Sequence, residues 1–326
     1  MPGILVEARD LKKHFQVRAG LLGKKQALKA VDGISFHVNE GETLSLVGES
    51  GCGKSTTGRA ILNLLPITGG QVIFDGEDIT NINEDRMRAK RKNMQMVFQD
   101  PYSSLNPRIK IKDLVSEPLL VHTDMDKSAR YKKAAELLEI VGLSKESMEK
   151  YAHEFSGGQR QRIGIARAIS VNPKLIVADE PVSALDVSVQ SQVLNLMQDL
   201  QRDLKLTYLF ISHNLSVVEH ISNRVCVMYL GKIVEMADKA ELYKNPLHPY
   251  TKALLSAVPI PDPTRKRSRI ILKGDIPSPV NPPSGCNFHT RCYDAMDICV
   301  NTAPLAKDTG NGHVVSCHLF SGASAQ

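Results

Sequence analysis

The sequence predicts an α/β fold with a mostly parallel sheet, and three features of the chain support this. Continuous apolar runs bounded by polar residues, at 175–178, 208–211 and 225–229, suit strands that are buried on both faces of such a sheet. Residues 188–204 place their apolar side chains on one face of an amphipathic helix. Strand-like and helix-like segments alternate throughout residues 1–258, which we therefore expect to form one α/β domain.

Two regions depart from this alternation. Residues from about 101 to 170 give turn and helix signals but no strand signal, which predicts a helical subdomain inserted into the domain. After residue 258 prolines become frequent, so neither a long helix nor a central strand is expected there. The sequence thus predicts a small irregular C-terminal extension over residues 259–326.

The composition is that of a soluble globular protein. No uninterrupted apolar run approaches the length needed to span a membrane, and no signal peptide is apparent. The net charge of +6 is mild for 326 residues and gives no evidence for nucleic-acid binding. We therefore expect a cytosolic chain that has no nucleic-acid partner.

A phosphate-binding loop is predicted at residues 48–55, which match the pattern G-x-x-x-x-G-K-[ST] without a mismatch. The apolar run 43–47 precedes it as a strand, and a helix is expected from Thr56 to Leu65 with its N-terminus toward the phosphates. In such a loop the backbone N–H groups converge, Lys54 reaches the β- and γ-phosphates, and Ser55 ligates Mg²⁺. The candidate nucleotide-binding residues here are Gly48, Glu49, Ser50, Gly51, Cys52, Gly53, Lys54, Ser55 and Thr56.

A metal-orienting carboxylate is expected at the end of another buried strand. Asp179 follows the apolar run 175–178 and is the candidate for holding Mg²⁺. Glu180 comes next and can act as the general base that polarises an attacking water. Beside a matched phosphate loop, these two residues favour nucleotide hydrolysis.

A further anion site is possible at Ser156, Gly157, Gly158 and Gln159, which open a predicted helix. Serine is a favoured N-cap residue, and the glycines leave backbone N–H groups bare. By itself this segment is equally well explained as an ordinary helix cap.

With these motifs in this order, residues 4 to about 258 resemble the ATP-binding cassette (ABC) ATPases. Ser-Gly-Gly-Gln between the phosphate loop and the strand-end acidic pair is the signature of that family. The other matching residues are Gln99 of the Q-loop, Asp186 of the D-loop segment 183–186, His213 of the switch and, more weakly, Phe15 as the aromatic residue that stacks on adenine.

The resemblance implies a P-loop NTPase fold and a shared mechanism. Two cassettes pair head to tail, and each ATP lies between one phosphate loop and the signature helix of the other subunit. Ser156, Gly157 and Gly158 would then act on the partner's nucleotide. His213 would contact the γ-phosphate, and Gln99 would sense Mg²⁺ and the γ-phosphate.

Four of the six cysteines fall late in the chain, at 286, 292, 299 and 317, with the spacing C-x5-C-x6-C-x17-C. In a cytosolic protein such a group suggests a metal before disulfides. The spacing is compatible with a [4Fe–4S] cluster, with zinc or with free thiols, and does not rank cluster over zinc. Nearby, His289, His313 and His318 are alternative ligands, although we expect ordinary surface residues.

A narrower resemblance lies in the sequence His248-Pro249-Tyr250 and the proline-rich stretch after it. Both look like the C-terminal extension of dipeptide, oligopeptide and nickel importer ATPases. In the dipeptide branch the four cysteines carry an iron–sulfur cluster. The resemblance therefore implies a [4Fe–4S] cluster held by Cys286, Cys292, Cys299 and Cys317.

The expected function is ATP hydrolysis that powers the import of dipeptides or oligopeptides across the bacterial inner membrane. The implied partners are a paralogous ATPase subunit, two transmembrane permeases and an external peptide-binding protein. The chain would be peripheral, on the cytoplasmic face of that membrane. Alternatives are a related nickel or glutathione importer, an exporter cassette, and a soluble ABC ATPase that acts on nucleic acid or ribosomes.

Overall fold

The computed structural model describes residues 3–18, 25–258 and 269–320, without the side chains of residues 101 and 103. Its strands are β1 Ile4–Arg18, β2 Lys25–Asn39, β3 Thr43–Val47, β4 Gly69–Phe74, β5 Glu77–Asp78, β6 Met94–Val97, β7 Leu175–Asp179, β8 Thr207–Ser212, β9 Arg224–Tyr229, β10 Lys232–Asp238, β11 Lys307–Asp308 and β12 Val314–Val315. Its α-helices are α1 Lys54–Ile61, α2 Glu84–Arg91, α3 Pro101–Ser104, α4 Ile111–His122, α5 Lys127–Ile140, α6 Gly157–Ile169, α7 Val187–Leu204, α8 Leu215–Ile221, α9 Lys239–Lys244, α10 Pro249–Ser256 and α11 Ile298–Asn301.

The chain divides into two compact units, and neither is a continuous stretch. The first unit contains the described residues of Met1–Val6, Val38–Thr43 and Phe74–Ile211; the second contains those of Glu7–His37, Leu44–Ile73 and Ser212–Gln326. The boundary predicted near residue 258 borders residues 259–268, which lie outside the described part of the chain. That boundary stays a prediction.

The first unit contains a parallel arrangement of β6, β7 and β8. Met94 of β6 pairs with Leu175 of β7, which in turn pairs with Thr207 of β8. Every residue of β7 and β8 is buried, as expected for strands covered on both faces. The two apolar runs that predicted these strands are thereby confirmed.

Helices dominate the middle of the first unit. Between residues 101 and 169 lie α3 to α6 and two short 3₁₀-helices, with one isolated bridge between Lys110 and Tyr151. Helix α5 stops at Ile140 because Gly142 adopts a left-handed φ of 76°, which favours glycine. Helix α7 begins within one residue of its predicted start and buries Val193, Met197 and Leu200.

The second unit contains two groups of neighbouring strands. In the first group the order is β11-β12-β10-β9-β3, with β3 parallel to β9 and antiparallel pairing among the others. In the second group the order is β2-β1-β4. The run 225–229 that predicted a strand corresponds to β9 and is buried from Val225 onward.

Three aromatic side chains attach the C-terminal extension to β9. Phe288 contacts the rings of Tyr229 and Tyr250, with centroids 5.1 and 5.3 Å away, and the two tyrosines lie 4.9 Å from each other. All three are buried, and edge-on aromatic pairs of this kind stabilise beyond the area they bury. The extension is thus part of the core of the second unit.

A buried acidic residue makes a second attachment. Glu235 of β10 is fully buried and accepts hydrogen bonds from the backbone N–H groups of Leu247 and His248 and from Nε2 of His313. The expectation that His313 is a surface residue is therefore wrong. Its ring is buried because it satisfies a carboxylate that would otherwise be costly to bury.

Candidate functional site

Two glycines of the phosphate loop are required by close backbone approaches. A Cβ atom on Gly48 would lie 2.2 Å from the carbonyl oxygen of Met228, and one on Gly53 would lie 2.1 Å from that of Ala30. Both glycines also have positive φ, at 153° and 107°. No other residue fits at either position without moving the backbone.

Lys54 is held inside the loop by backbone oxygens. Its side chain is buried, and Nζ donates hydrogen bonds to the carbonyl oxygens of Gly48 at 2.8 Å and Glu49 at 3.1 Å. A buried ammonium group is costly unless its donors are satisfied. The positive charge is therefore fixed at the centre of the loop.

The start of α1 fits a phosphate. Gly53 is its N-cap and has no side chain that could cap the first turn, and the N–H groups at the start of a helix favour an anion. The thiol of Cys52 is buried, which raises its pKa despite the opposing charge of Lys54. Within residues 48–56, Glu49 is the one acidic residue.

The predicted strand before the loop is confirmed as β3. The predicted helix after it is shifted: α1 begins at Lys54, two residues early, and ends at Ile61 rather than Leu65. It ends early because Asn63 adopts a left-handed φ of 51°.

In the first unit, the structure brings Gln99 and Glu180 together. Nε2 of Gln99 donates a hydrogen bond to Oε2 of Glu180 at 3.0 Å. Glu180 has a φ of 46°, a left-handed conformation that is strained for a residue with a side chain. Its backbone N–H donates to the carbonyl oxygen of Ile211 at 2.9 Å, which holds the turn directly after buried Asp179.

The signature segment forms a helix cap. Ser156 and Gln159 make a reciprocal capping box at the start of α6. A Cβ on Gly158 would lie 2.3 Å from Cγ1 of Val189, so glycine allows α6 to pack closely against α7. Gly157 similarly faces Leu185 of the D-loop segment.

Asp186 of the D-loop segment caps α7. Its carboxylate accepts hydrogen bonds from the hydroxyl of Ser188 at 2.7 Å and the N–H of Val189 at 3.0 Å. The hydroxyl of Ser188 is the main reason that the pKa of Asp186 is lowered. The carboxylate of Asp186 therefore caps the N-terminus of α7.

Phe15 and His213 both belong to the second unit. Phe15 lies in β1 and is half-buried, with Nζ of Lys13 4.9 Å from its ring centroid. His213 follows β8 and is exposed. The second unit therefore holds Phe15, the phosphate loop and His213, whereas Gln99, Asp179, Glu180, the signature segment and Asp186 belong to the first.

Sequence reasoning missed two residues that contact Glu49 of the phosphate loop. The backbone N–H of Glu49 donates to the hydroxyl of Tyr250 at 2.9 Å. The carboxylate of Glu49 makes a bidentate ion pair with Arg291, at 2.7 and 3.1 Å. Tyr250 belongs to the sequence His248-Pro249-Tyr250, which predicted no contact with the phosphate loop. No spacing in the sequence indicates a role for Arg291.

The predicted [4Fe–4S] cluster is wrong. Within residues 3–18, 25–258 and 269–320, no group of three or more histidine, cysteine or acidic side chains is placed to hold a metal ion. Burial raises the pKa of Cys286, Cys292 and Cys317, that of Cys292 to about 11. With Cys299 they are free cysteines of the packed extension.

Among the helices described, none combines the length and the apolar character needed to cross a membrane.

Comparison with known proteins decides the family. The model of the family described as "ABC transporter" matches residues 31–183, and that of "Oligopeptide/dipeptide transporter, C-terminal region" matches residues 234–299. The chain is 57% identical to the oligopeptide transport ATP-binding protein AppF of Bacillus subtilis, over 97% of this chain and 98% of that protein.

This chain belongs to the ABC transporter ATP-binding proteins. It is also 50% identical to the dipeptide transport ATP-binding protein DppF of Escherichia coli, over 96% of this chain and 93% of that protein. Among solved structures, the dimeric ADP- and phosphate-bound ATP-binding cassette MJ0796 superposes with a TM-score of 0.65 and 26% identity, over 72% of this chain and 99% of that one. The predicted α/β P-loop fold and the predicted transport-coupled ATPase class are confirmed, and the family implies ATP with Mg²⁺.

Proposed function

We propose that this chain is the ATP-hydrolysing subunit of a bacterial peptide importer. The observation that carries the proposal is similarity along nearly the whole chain, including the C-terminal region, to proteins named for oligopeptide and dipeptide transport.

In the proposed mechanism the second unit binds the triphosphate through its phosphate loop. The N–H groups at the start of α1 donate hydrogen bonds to the phosphate oxygens, and Lys54 neutralises their charge. Phe15 offers a half-buried ring for the adenine. Mg²⁺, when bound, screens the negative charge of the phosphates. The hydroxyl of Ser55 and the carboxylate of Asp179 are oxygen ligands of the type that this ion prefers.

The first unit supplies the proposed general base for hydrolysis. Glu180 acts as general base and takes the proton of the attacking water. The amide of Gln99 donates a hydrogen bond to Oε2 of Glu180 and so orients the carboxylate. We assign His213 the role of orienting the water and contacting the γ-phosphate, which its exposure permits.

The proposed assembly pairs this chain with a paralogous ATPase subunit. Ser156, Gly157 and Gly158 would then contact the nucleotide bound by that partner. Two transmembrane permeases and an external peptide-binding protein complete the importer. The chain would lie on the cytoplasmic face of the inner membrane, with residues 1–258 as the cassette and 259–326 as the extension.

Isolation of the intact complex tests this function. The full chain carries an affinity tag, the complex is purified in detergent, and the co-purifying proteins are identified by mass spectrometry. We expect two permeases, a second ATPase subunit and, after addition of the binding protein, ATP-dependent uptake of labelled di- or oligopeptides into proteoliposomes. Uptake of Ni²⁺ or glutathione instead of peptides, or recovery of a ribosome, would refute the peptide assignment.

A matched complex separates transport from binding. The same preparation with Glu180→Gln should bind peptide-loaded binding protein but accumulate no peptide. Accumulation that persists in this complex would mean that hydrolysis by this chain does not drive transport.

A further inference from the structure

The acidic side chain of the phosphate loop is unusual in its surroundings. Glu49 lies one residue after Gly48, in a loop whose proposed ligand carries several negative charges. A free carboxylate at this position would repel a triphosphate, because like charges within about 10 Å interact even at physiological salt. Its pairing therefore bears directly on how well the loop accepts an anion.

Arg291 neutralises that carboxylate from the C-terminal extension. Its NH1 and NH2 groups donate to the two carboxylate oxygens of Glu49 in the fork geometry typical of strong arginine–carboxylate pairs. The arginine side chain is 8% exposed and the glutamate side chain 27% exposed. The pair is thus shielded from the solvent screening that weakens most surface ion pairs.

The arginine is held rigidly for this contact. It is the last residue of the short 3₁₀-helix His289–Arg291, and this helix begins directly after buried Phe288. Its guanidinium also lies near Tyr229, with NH1 3.5 Å from the hydroxyl oxygen. Since Phe288 packs on Tyr229 and Tyr250, the same aromatic cluster places both groups that contact Glu49.

We propose that Arg291 is a positioning residue of the phosphate loop, through which the C-terminal extension sets the affinity for nucleotide. It acts by cancelling the charge of Glu49. The inference rests on the proposed ATP-binding role of the loop. It assigns the extension a function at the nucleotide site, in addition to any role in assembly.

Charge-sensitive nucleotide binding tests this proposal on the full-length chain. Dissociation constants for ATP and ADP are measured at low and high salt for the unmodified chain, Arg291→Ala, Arg291→Lys and the double variant Glu49→Gln/Arg291→Ala. We expect Arg291→Ala to weaken ATP binding about five- to tenfold at low salt, less for ADP and less at high salt. Arg291→Lys should recover part of the loss because it keeps the charge without the fork.

The double variant separates charge from simple loss of structure. Removing the carboxylate together with the arginine should restore affinity to within about twofold of the unmodified chain. A double variant as weak as Arg291→Ala, or Arg291→Ala with unchanged affinity, would overturn the proposal. If Arg291→Ala does not fold, Glu49→Gln decides: tighter ATP binding supports the proposal, and equal or weaker binding overturns it.

Two controls keep the outcomes distinct. Arg202→Ala removes the same charge from an exposed position on α7 and should leave affinity unchanged. Lys54→Ala should lose tight binding. If the unmodified chain does not bind ATP, or if Lys54→Ala binds it equally well, the proposed function fails. If those two behave as expected and Arg291→Ala is unaffected, only the role of Arg291 fails.

Discussion

The phosphate loop and the turn that carries Glu180 are built in different ways. In the loop, backbone contacts of Gly48 and Gly53 fix the chain, and Lys54 is buried with its donors on backbone oxygens. In the turn, the N–H of Glu180 bonds to the carbonyl oxygen of Ile211, φ of Glu180 is strained, and its partly buried side chain accepts a hydrogen bond from exposed Gln99. The reactive side chain of the loop is thus held by backbone oxygens, whereas that of the turn contacts another side chain.

The difference predicts how each region responds to change. A substitution of the Glu180 carboxylate by an amide should alter chemistry and leave binding intact, because it keeps the shape of the side chain. A substitution in the loop should alter binding first, because the lysine and the backbone form one hydrogen-bonded unit. Three variants, in decreasing order of expected effect, test this contrast.

Glu180→Gln should have the largest effect. It keeps the shape and the contact with Gln99 but removes the proton acceptor, so turnover in the assembled transporter should fall by about 10²- to 10⁴-fold. The affinity for ATP should stay within about twofold. The measurement is phosphate release by the purified complex, beside nucleotide binding to the same preparation.

The exposed variant Glu84→Gln on α2 serves as its control, since it makes the same chemical change far along the chain. It should hydrolyse ATP like the unmodified complex. Undiminished turnover by Glu180→Gln would remove this residue from the base role and would break the proposed contrast.

Lys54→Ala should act on binding instead. Loss of the buried ammonium group removes a charge-assisted contact with the phosphates, for which we expect about a hundredfold weaker ATP binding. The comparison is Lys244→Ala, an exposed lysine of α9 in the same unit, which should bind as tightly as the unmodified chain. Equal affinities for the two variants would contradict the phosphate-loop assignment.

Sequence reasoning recovered most of the fold and the local motifs, because those signals are local. Buried strands appear as apolar runs, as for β7 and β8, and the loop pattern follows from steric limits at Gly48 and Gly53. The helix α1 was misplaced by a few residues because its end depends on the conformation of Asn63.

Contacts between distant parts of the chain could not be predicted in this way. Arg291 and Glu49 are 242 residues apart, and nothing in either local sequence indicates a partner. The four cysteines illustrate the opposite error: their spacing and family resemblance suggested a metal cluster, whereas within the described residues no group of three or more histidine, cysteine or acidic side chains is placed to hold a metal ion. The spacing of residues along the chain does not determine how close their side chains lie in the folded protein.

His248→Asn should have the smallest effect, and only in acid. Burial lowers the pKa of His248 to about 3, with the charge of Lys252 as a second cause. The unfolded chain titrates near pH 6.5, so it gains a proton that the folded chain does not, and stability is lost as the pH falls from 6.5 toward 3. At pH 5 this amounts to about 2 kcal/mol.

Asparagine should abolish that loss without breaking the helix start. His248 caps α10 by accepting from the N–H of Tyr250, and asparagine is also a good N-cap. In urea unfolding followed by circular dichroism, the variant should match the unmodified chain within about 1 kcal/mol at pH 7.5 and exceed it by about 2 kcal/mol at pH 5. Exposed His153, changed to Asn, should show no such gain.

Hydrogen exchange connects this prediction to the two regions. In the second unit, the amide of Glu49 donates to the hydroxyl of Tyr250, two residues after His248. In the first unit, the amide of Glu180 donates to the carbonyl oxygen of Ile211. Acid should therefore reduce protection at Glu49 more in the unmodified chain than in His248→Asn, and should affect Glu180 equally in both. An equal acid response at Glu49 in the two proteins would show that the phosphate loop does not depend on the extension that His248 anchors.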